Sequence, residues 1–333
     1  SRTAQWNQGR GFDPIGMEGG EVSAKDRFRG VFDGRGHTIS GLTINRPDAE
    51  VIGLFAGLAE GATVRNLTLK GISVIGEVKV GGLAGIIYSF AVIENCRVKG
   101  NVDGWLNVGM VAGFANYVKI QGTEVGGTVG PARDRVAEQK YTGSFSPATG
   151  GVVGGLTGHA RHSLLQEDTS TVDVLSGHVL ESVGGIAGST SSNTKIRHVR
   201  ASGSLDLDMG NESVYNSLAL GGLVGNNSGS IYASSASVPL QGETVGGLVG
   251  QNSSGTIAQS FASGNLEARN GVAGGLIGES IGGTIRSCYA TGNVSGESEI
   301  GGIVGRSRAV TIQSSFAVGT ISAEEPETVG GLL

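Results

Sequence analysis

Residues 245–264 read Val245-Gly246-Gly247-Leu248-Val249-Gly250-Gln251-Asn252-Ser253-Ser254-Gly255-Thr256-Ile257-Ala258-Gln259-Ser260-Phe261-Ala262-Ser263-Gly264. Two phrases lie in this stretch: an apolar pair of steps broken by paired glycines, and a short β-prone run that ends on glycine. Neither is long enough, nor spaced correctly, for an amphipathic helix. The apolar runs last three to five residues and are bounded by Gly, Asn and Ser, which is the signature of short strands joined at tight corners.

Working outward, the first phrase recurs along the whole chain. Its leading glycine stands at Gly53, Gly81, Gly109, Gly154, Gly184, Gly221, Gly246, Gly274 and Gly301, and again at Gly330, where the phrase is cut short. The period is about 28 residues, with two longer intervals after Gly109 and Gly184 that indicate insertions. The second phrase returns as Thr284 to Gly292 and Thr311 to Gly319, with looser copies at Thr63 to Gly71, Val92 to Gly100, Lys195 to Gly203 and Ser230 to Val238. A third short run follows its glycine, as in Asn101-Val102 and Asn293-Val294.

A unit of three short strands cannot bury its apolar side alone. Copies stacked at the strand spacing of roughly 4.8 Å can, around one narrow core. The expected fold is therefore all-β: a parallel β-helix, right-handed by preference, with three short strands per turn. Residues 1–50 are expected to form a cap or entry segment. Residues 51–333 are expected to form about ten turns, with insertions near 130–150 and 207–218.

The composition agrees. There are 61 Gly and only 6 Pro in 333 residues, with 38% apolar, 5% aromatic and 16% charged residues. Glycine at more than twice its usual share of about 7%, without proline and with this hydrophobicity, excludes a linker, collagen or disorder. Corners of a repeated turn need positive φ or close backbone approach, and glycine supplies both. The net charge of −5 and the absence of a basic block argue against nucleic-acid binding. No apolar run approaches the roughly 18 to 20 residues of a membrane span. The opening Ser1 to Trp6 has no initiator Met and no leader, which reads as a processed or excised piece.

Aligning the second phrase on its glycine gives columns. Seven places earlier stand Val64, Ile93, Ile196, Ile231, Ile257, Ile285 and Ile312. Two places earlier stand Leu69, Val98, Ala201, Ala236, Ala262, Ala290 and Ala317. Both columns should face inward. The column four places earlier, Leu67, Cys96, Val199, Ser234, Ser260, Cys288 and Ser315, is small and also inward. Its two cysteines, seven turns apart by the regular count, lie beyond the reach of a disulfide and should be free thiols.

The VGGLxG phrase with its intervening T-I-x-x-S-[FY]-A-x-G resembles the GLUG-motif repeat of bacterial secreted and surface proteins. The segment Phe28 to Ile44, containing Phe32-Asp33-Gly34-Arg35-Gly36-His37, resembles the lead-in of the same proteins. The resemblance runs from about residue 28 to the end. Leu54 and Met110 depart from it in place of the second glycine, as does the degraded turn at Leu164 to Val172. The family occurs in large adhesins, filamentous-haemagglutinin-like exoproteins and non-catalytic parts of secreted peptidases. It implies an extracellular or cell-surface location and no catalytic motif, and the expected partners are glycans or surface proteins of host or neighbouring cells.

Several residue groups could carry chemistry. Gly278-Glu279-Ser280-Ile281-Gly282 matches a nucleophile elbow, but no helix and no later His accompany it, so a repeat corner is expected. His159, His162, His178 and His198 could converge on a metal, yet their spacing does not place them on one strand face. The acids Asp103, Glu167, Asp168, Asp173, Asp206 and Asp208 are the material for an enzyme or a cation site, with Asp173, Asp206 and Asp208 the best grouping for a carbohydrate-active alternative. No catalytic residue, metal ligand or cofactor is assigned.

Position −3 of the second phrase should face outward, as Lys70 and Lys99 at −1 indicate. It ends as Phe261, Tyr289 and Phe316, an external aromatic ladder and the candidate ligand-binding residues. The function expected from all this is a non-catalytic extracellular stalk or adhesive segment. It would contact glycans or other proteins through its side faces and corner loops, and end-to-end self-association, as in a structural filament subunit, is a further expectation.

Overall fold

We describe a computed structural model of the chain over residues 3–17, 22–130, 151–176, 180–207, 218–323 and 328–331. Parallel strands stack as a β-solenoid of about nine turns. Four sheets run its length. Sheet I collects the strands that enter each anchor phrase, such as Lys79–Gly81, Asn107–Gly109 and Ala219–Gly221. Sheet II collects those that leave it, from Phe55–Leu58 to Val304–Arg308. Sheets III and IV hold the two halves of the second phrase, from Val31–Asp33 to Thr311–Gln313 and from Thr38–Ser40 to Phe316–Ala317. Four sheets replace the three strands per turn expected, because both phrases turn a corner, the anchor over its glycine pair and the second phrase between sheets III and IV. The third run extends sheet IV, as in Arg97–Asp103, or joins sheet I, as Val294–Gly296 does. Most of the insertions expected near 130–150 and 207–218 lie outside the described residues.

The core is a set of one-residue columns. In sheet I, Val80, Val108, Val153, Val183, Leu220, Val245, Ala273 and Ile300 are in register from turn to turn and buried. In sheet III, Val64, Ile93, Ile120, Leu165, Ile196, Ile231, Ile257 and Ile285 do the same. A core one side chain deep on each face explains why β-branched and small residues dominate it.

Close approach, not a left-handed backbone, explains the anchor glycines. A Cβ on Gly246 would stand 1.8 Å from the Val249 carbonyl oxygen and 2.5 Å from the Gly278 nitrogen. Sheets I and II meet at that corner with no room for a methyl group. The departures do not disturb the register: Gly82 N–H donates to the Met110 carbonyl at 2.9 Å, and Met110 N–H to Gly155 at 3.2 Å.

The corner between sheets III and IV works differently. Asn66, Asn95, Gly122, Glu167, His198, Ala233, Gln259, Ser287 and Ser314 all have φ between 47° and 62° there. The N–H of each of the first eight donates to a carbonyl of the next turn, as Asn95 to Gln121 and Gln259 to Arg286, both at 3.0 Å. The next residue is the small inward column. Ser234 Oγ accepts from Val199 N–H at 3.2 Å and donates to the Tyr232 carbonyl at 2.8 Å, and Ser260 repeats the pattern one turn on. Cys96 and Cys288 occupy the same column, buried and free. Six rungs separate them rather than the seven counted from sequence, because the two insertions consume residues without adding turns. Burial pushes both thiols up.

A second polar column lies inside sheet II. Thr190 Oγ1 donates to Asn227 Oδ1 at 2.8 Å, Asn227 Nδ2 to Asn252 Oδ1 at 2.8 Å, and Asn252 Nδ2 to Ser280 Oγ at 3.2 Å. Each buried amide thereby has its partners within the stack, as burial requires. At the other end, Gly11 bridges Ile44, Ile15 bridges Phe55 and Phe28 bridges Leu58, so the segment before Val31 lies over the first turn. Phe28 and Phe32 close on Phe55, with ring centroids 5.1 and 5.5 Å away.

Candidate binding surface

Position −3 of sheet IV is an outward column in register over ten rungs: Thr38, Thr68, Arg97, Glu124, Thr169, Arg200, Ser235, Phe261, Tyr289 and Phe316. Its neighbours at −2, Ala262 and Ala290, are buried, which fixes −3 on the opposite face of the strand. The chemistry of the column changes along the rod. Near its start, Arg97 holds Glu124 through two hydrogen bonds of 2.9 and 3.0 Å, and this pairing lowers the Glu124 carboxyl below its ordinary range.

Near its end the column is aromatic. The rings of Phe261 and Tyr289 lie 4.9 Å apart and within 3° of parallel, and those of Tyr289 and Phe316 lie 5.5 Å apart at 9°. The strand spacing imposes this stacking, and each pair adds about 0.5 to 1.5 kcal/mol beyond the area it buries. Stacked rings cover one another's faces. The ladder therefore presents ring edges along its length, and Phe316, 52% exposed, is its most open ring.

The other candidates resolve one by one. Ser280, the middle of the G-x-S-x-G stretch, is a buried strand residue that accepts from Asn252 and donates to the Gly282 carbonyl at 3.1 Å. It is a rung of the polar column, with no exposed hydroxyl. Asp173 accepts from both the N–H and the hydroxyl of Ser204, at 2.9 and 2.8 Å. Asp206 pairs in register with Leu175, two places from Asp173, so the two acids do not share a column. Asp208 and His178 lie outside the described residues.

His159 and His162 do not form a metal pair; each stacks on a ring of the preceding turn. His159 lies 5.5 Å from Phe114 at 14°, and His162 lies 4.6 Å from Tyr117 at 5°. Burial, with the charge of Arg161 adding, brings His159 down to about 4. His198 meets Tyr232 edge to face. Among the described residues, no three His, Cys, Asp or Glu side chains gather as a metal site would need.

Among the described residues, Asp168 is the acid with no exposed surface. It stands in the small inward column, where its Oδ1 accepts from Thr123 N–H at 2.9 Å and its Oδ2 has no hydrogen-bond partner. Burial raises its carboxyl to about 8. Sequence reading placed it among the acids available for an enzyme or cation site, because the degraded turn at Leu164 to Val172 hides the column.

Three stretches of the chain, residues 77–103, 241–267 and 270–295, match the family model of the GLUG motif. The chain is similar to halomucin of Haloquadratum walsbyi, 38% identical over 115 residues, covering 34% of this chain and 1% of that protein. It is similar to a Gly-rich membrane protein of Evansella cellulosilytica, 40% identical over 94 residues, covering 27% of this chain and 10% of that protein. It is also similar to an immunoglobulin A1 protease of Streptococcus sanguinis, 28% identical over 199 residues, covering 58% of this chain and 10% of that protein. The chain thus spans a tenth or less of each relative. No solved structure matches. Among the described residues no helix is long and apolar enough to cross a membrane.

Proposed function

With GLUG motifs written into three of its turns, we propose that this chain is a non-catalytic, rigid segment of a larger extracellular or surface-displayed protein, holding other parts at a distance and making adhesive contacts through its sides. The observation that carries the reading is the unbroken stack itself. Polar groups inside it are used on neighbouring turns, as in the Thr190 to Ser280 column, and its charged and large aromatic side chains stand mainly in outward columns. The names of the relatives support a surface setting, one being a membrane protein and another a protease named for an antibody.

The ladder of Phe261, Tyr289 and Phe316 is the proposed contact strip for glycans or proteins of a neighbouring cell, and end-to-end association of rods is a further proposed contact. Ser235 shows that the same column accepts serine. Beads coated with the intact chain are expected to adhere to cells under flow. The triple variant Phe261→Ser, Tyr289→Ser, Phe316→Ser should keep its strand circular dichroism, melt several degrees lower and lose most of that adhesion. Adhesion that persists unchanged in a folded triple variant removes the strip from the account.

A further inference from the structure

We infer a second binding site, for a neutral glycan, on the corner where sheet II turns into sheet III, formed by Phe90, Tyr117 and His162. These residues follow Ala84–Tyr88, Ala112–Asn116 and Thr157–Arg161, the sheet II strands of three consecutive turns. Tyr117 stacks on His162 at 4.6 Å and 5°, while Phe90 meets Tyr117 at 5.9 Å with its plane turned by 48°. Beside this row runs an inner one, in which Tyr88 meets Phe114 at 5.7 Å and Phe114 meets His159. The guanidinium of Arg27 sits 4.8 Å above the Tyr88 ring and closes the inner row off.

Backbone conformation is the first reason to read a function here. Phe90, Tyr117 and His162 have φ of 64°, 57° and 48°. The same corner in other turns is made by Gly61, Ser254, Gly282 and Ala309, also at positive φ. The fold therefore asks for a small residue, and a bulky one in this region costs on the order of 1 kcal/mol more than glycine. Three successive turns bear that cost in order to place rings outside the core, where they contribute little to its packing.

The ligand class follows from exposure, shape and charge. Phe90 is 70% exposed and Tyr117 45% exposed. Side chains of this kind cover roughly 150–250 Å² each, so the two present on the order of 200 Å² together. A stable protein interface needs about 800 Å² from each partner, which the patch does not offer. One or two sugar rings fit it. The tilt of Phe90 leaves a ring face uncovered, as stacking against the C–H face of a pyranose requires, and the Tyr117 hydroxyl supplies a polar handle beside it. The strip contains no acid and no Lys or Arg, so an uncharged sugar suits it better than an acidic one. This differs from the sheet IV ladder, whose parallel rings hide one another's faces.

The left-handed backbone provides variants that remove the rings and relieve conformational cost together: Phe90→Gly and Tyr117→Gly. The intact chain, labelled, is applied to an array of neutral hexose and N-acetylhexosamine oligosaccharides beside sialylated and sulfated ones, and the best neutral oligosaccharide is titrated calorimetrically. Binding of a neutral oligosaccharide is expected, weakened at least tenfold by Phe90→Gly and by Tyr117→Gly with melting temperature unchanged or raised. Tyr232→Ala, which removes an exposed ring outside both this site and the ladder, should leave it unchanged. The inference is overturned if no neutral oligosaccharide binds, if only acidic ones do, or if affinity survives both glycine variants.

Discussion

Gly246→Ala is expected to destabilise the chain by more than about 3 kcal/mol. The added methyl group would lie 1.8 Å from the Val249 carbonyl oxygen, about half an ordinary contact distance, and the obstacle is backbone that three neighbouring strands hold in place. Overpacking of side chains commonly costs about 1 to 3 kcal/mol, and here no rotamer change relieves it. Gly61→Ala is the control. Its φ is 73° and nothing lies within 4 Å of the added atom, so only the conformational term remains, on the order of 1 kcal/mol. Thermal or urea unfolding of both variants separates the two explanations of the glycine excess. Equal losses would mean that backbone conformation, and not the meeting of sheets I and II, selects glycine at the anchor.

The second large effect comes from Asp168. Its carboxyl titrates near 8 when folded, against an ordinary value of 3.8 when unfolded. The folded state keeps the proton that the unfolded state releases, so stability is highest below pH 4 on this account, falls as pH rises towards 8, and levels off above it. Linkage allows a loss of up to about 5 kcal/mol across that window, at 1.36 kcal/mol per pH unit. Asp168→Asn retains an oxygen acceptor for Thr123 N–H and cannot ionise. The variant should match the parent near pH 4 and be more stable by several kcal/mol at pH 8. Denaturant midpoints measured at pH 4, 6 and 8 test this, and parallel pH profiles for parent and variant would contradict it.

These two residues also show what sequence reading reached. The anchor glycines were legible because they repeat at a fixed period, and so were the inward columns of Ile, Ala and small residues and the outward column ending in Phe261, Tyr289 and Phe316. The split of the anchor phrase between two sheets was not, since a glycine pair reads equally well as a bulge within one strand. The left-handed column from Asn66 to Ser314 was hidden because its backbone hydrogen bonds, not its side chains, define it: Asn, Glu, His, Ala and Gln all serve. The polar column inside sheet II left a usable signal, since Thr190, Asn227, Asn252 and Ser280 each stand two places after the third anchor glycine. The row of Phe90, Tyr117 and His162 escaped because an insertion separates its last two members, and because Phe90 stands one place further along its corner than Tyr117 does.

The central claim is that distance along the molecule counts turns and not residues. In a chain with Cys96→Ser and Cys288→Ser, nitroxides at Thr68→Cys and Ser235→Cys lie five rungs apart, and at Thr68→Cys and Tyr289→Cys seven rungs apart. At the strand spacing these pairs should give narrow distance distributions near roughly 24 and 34 Å by pulsed electron resonance. A difference between the two pairs far from two rung spacings, or distributions broad enough to hide it, would contradict the stacked solenoid on which the rest depends.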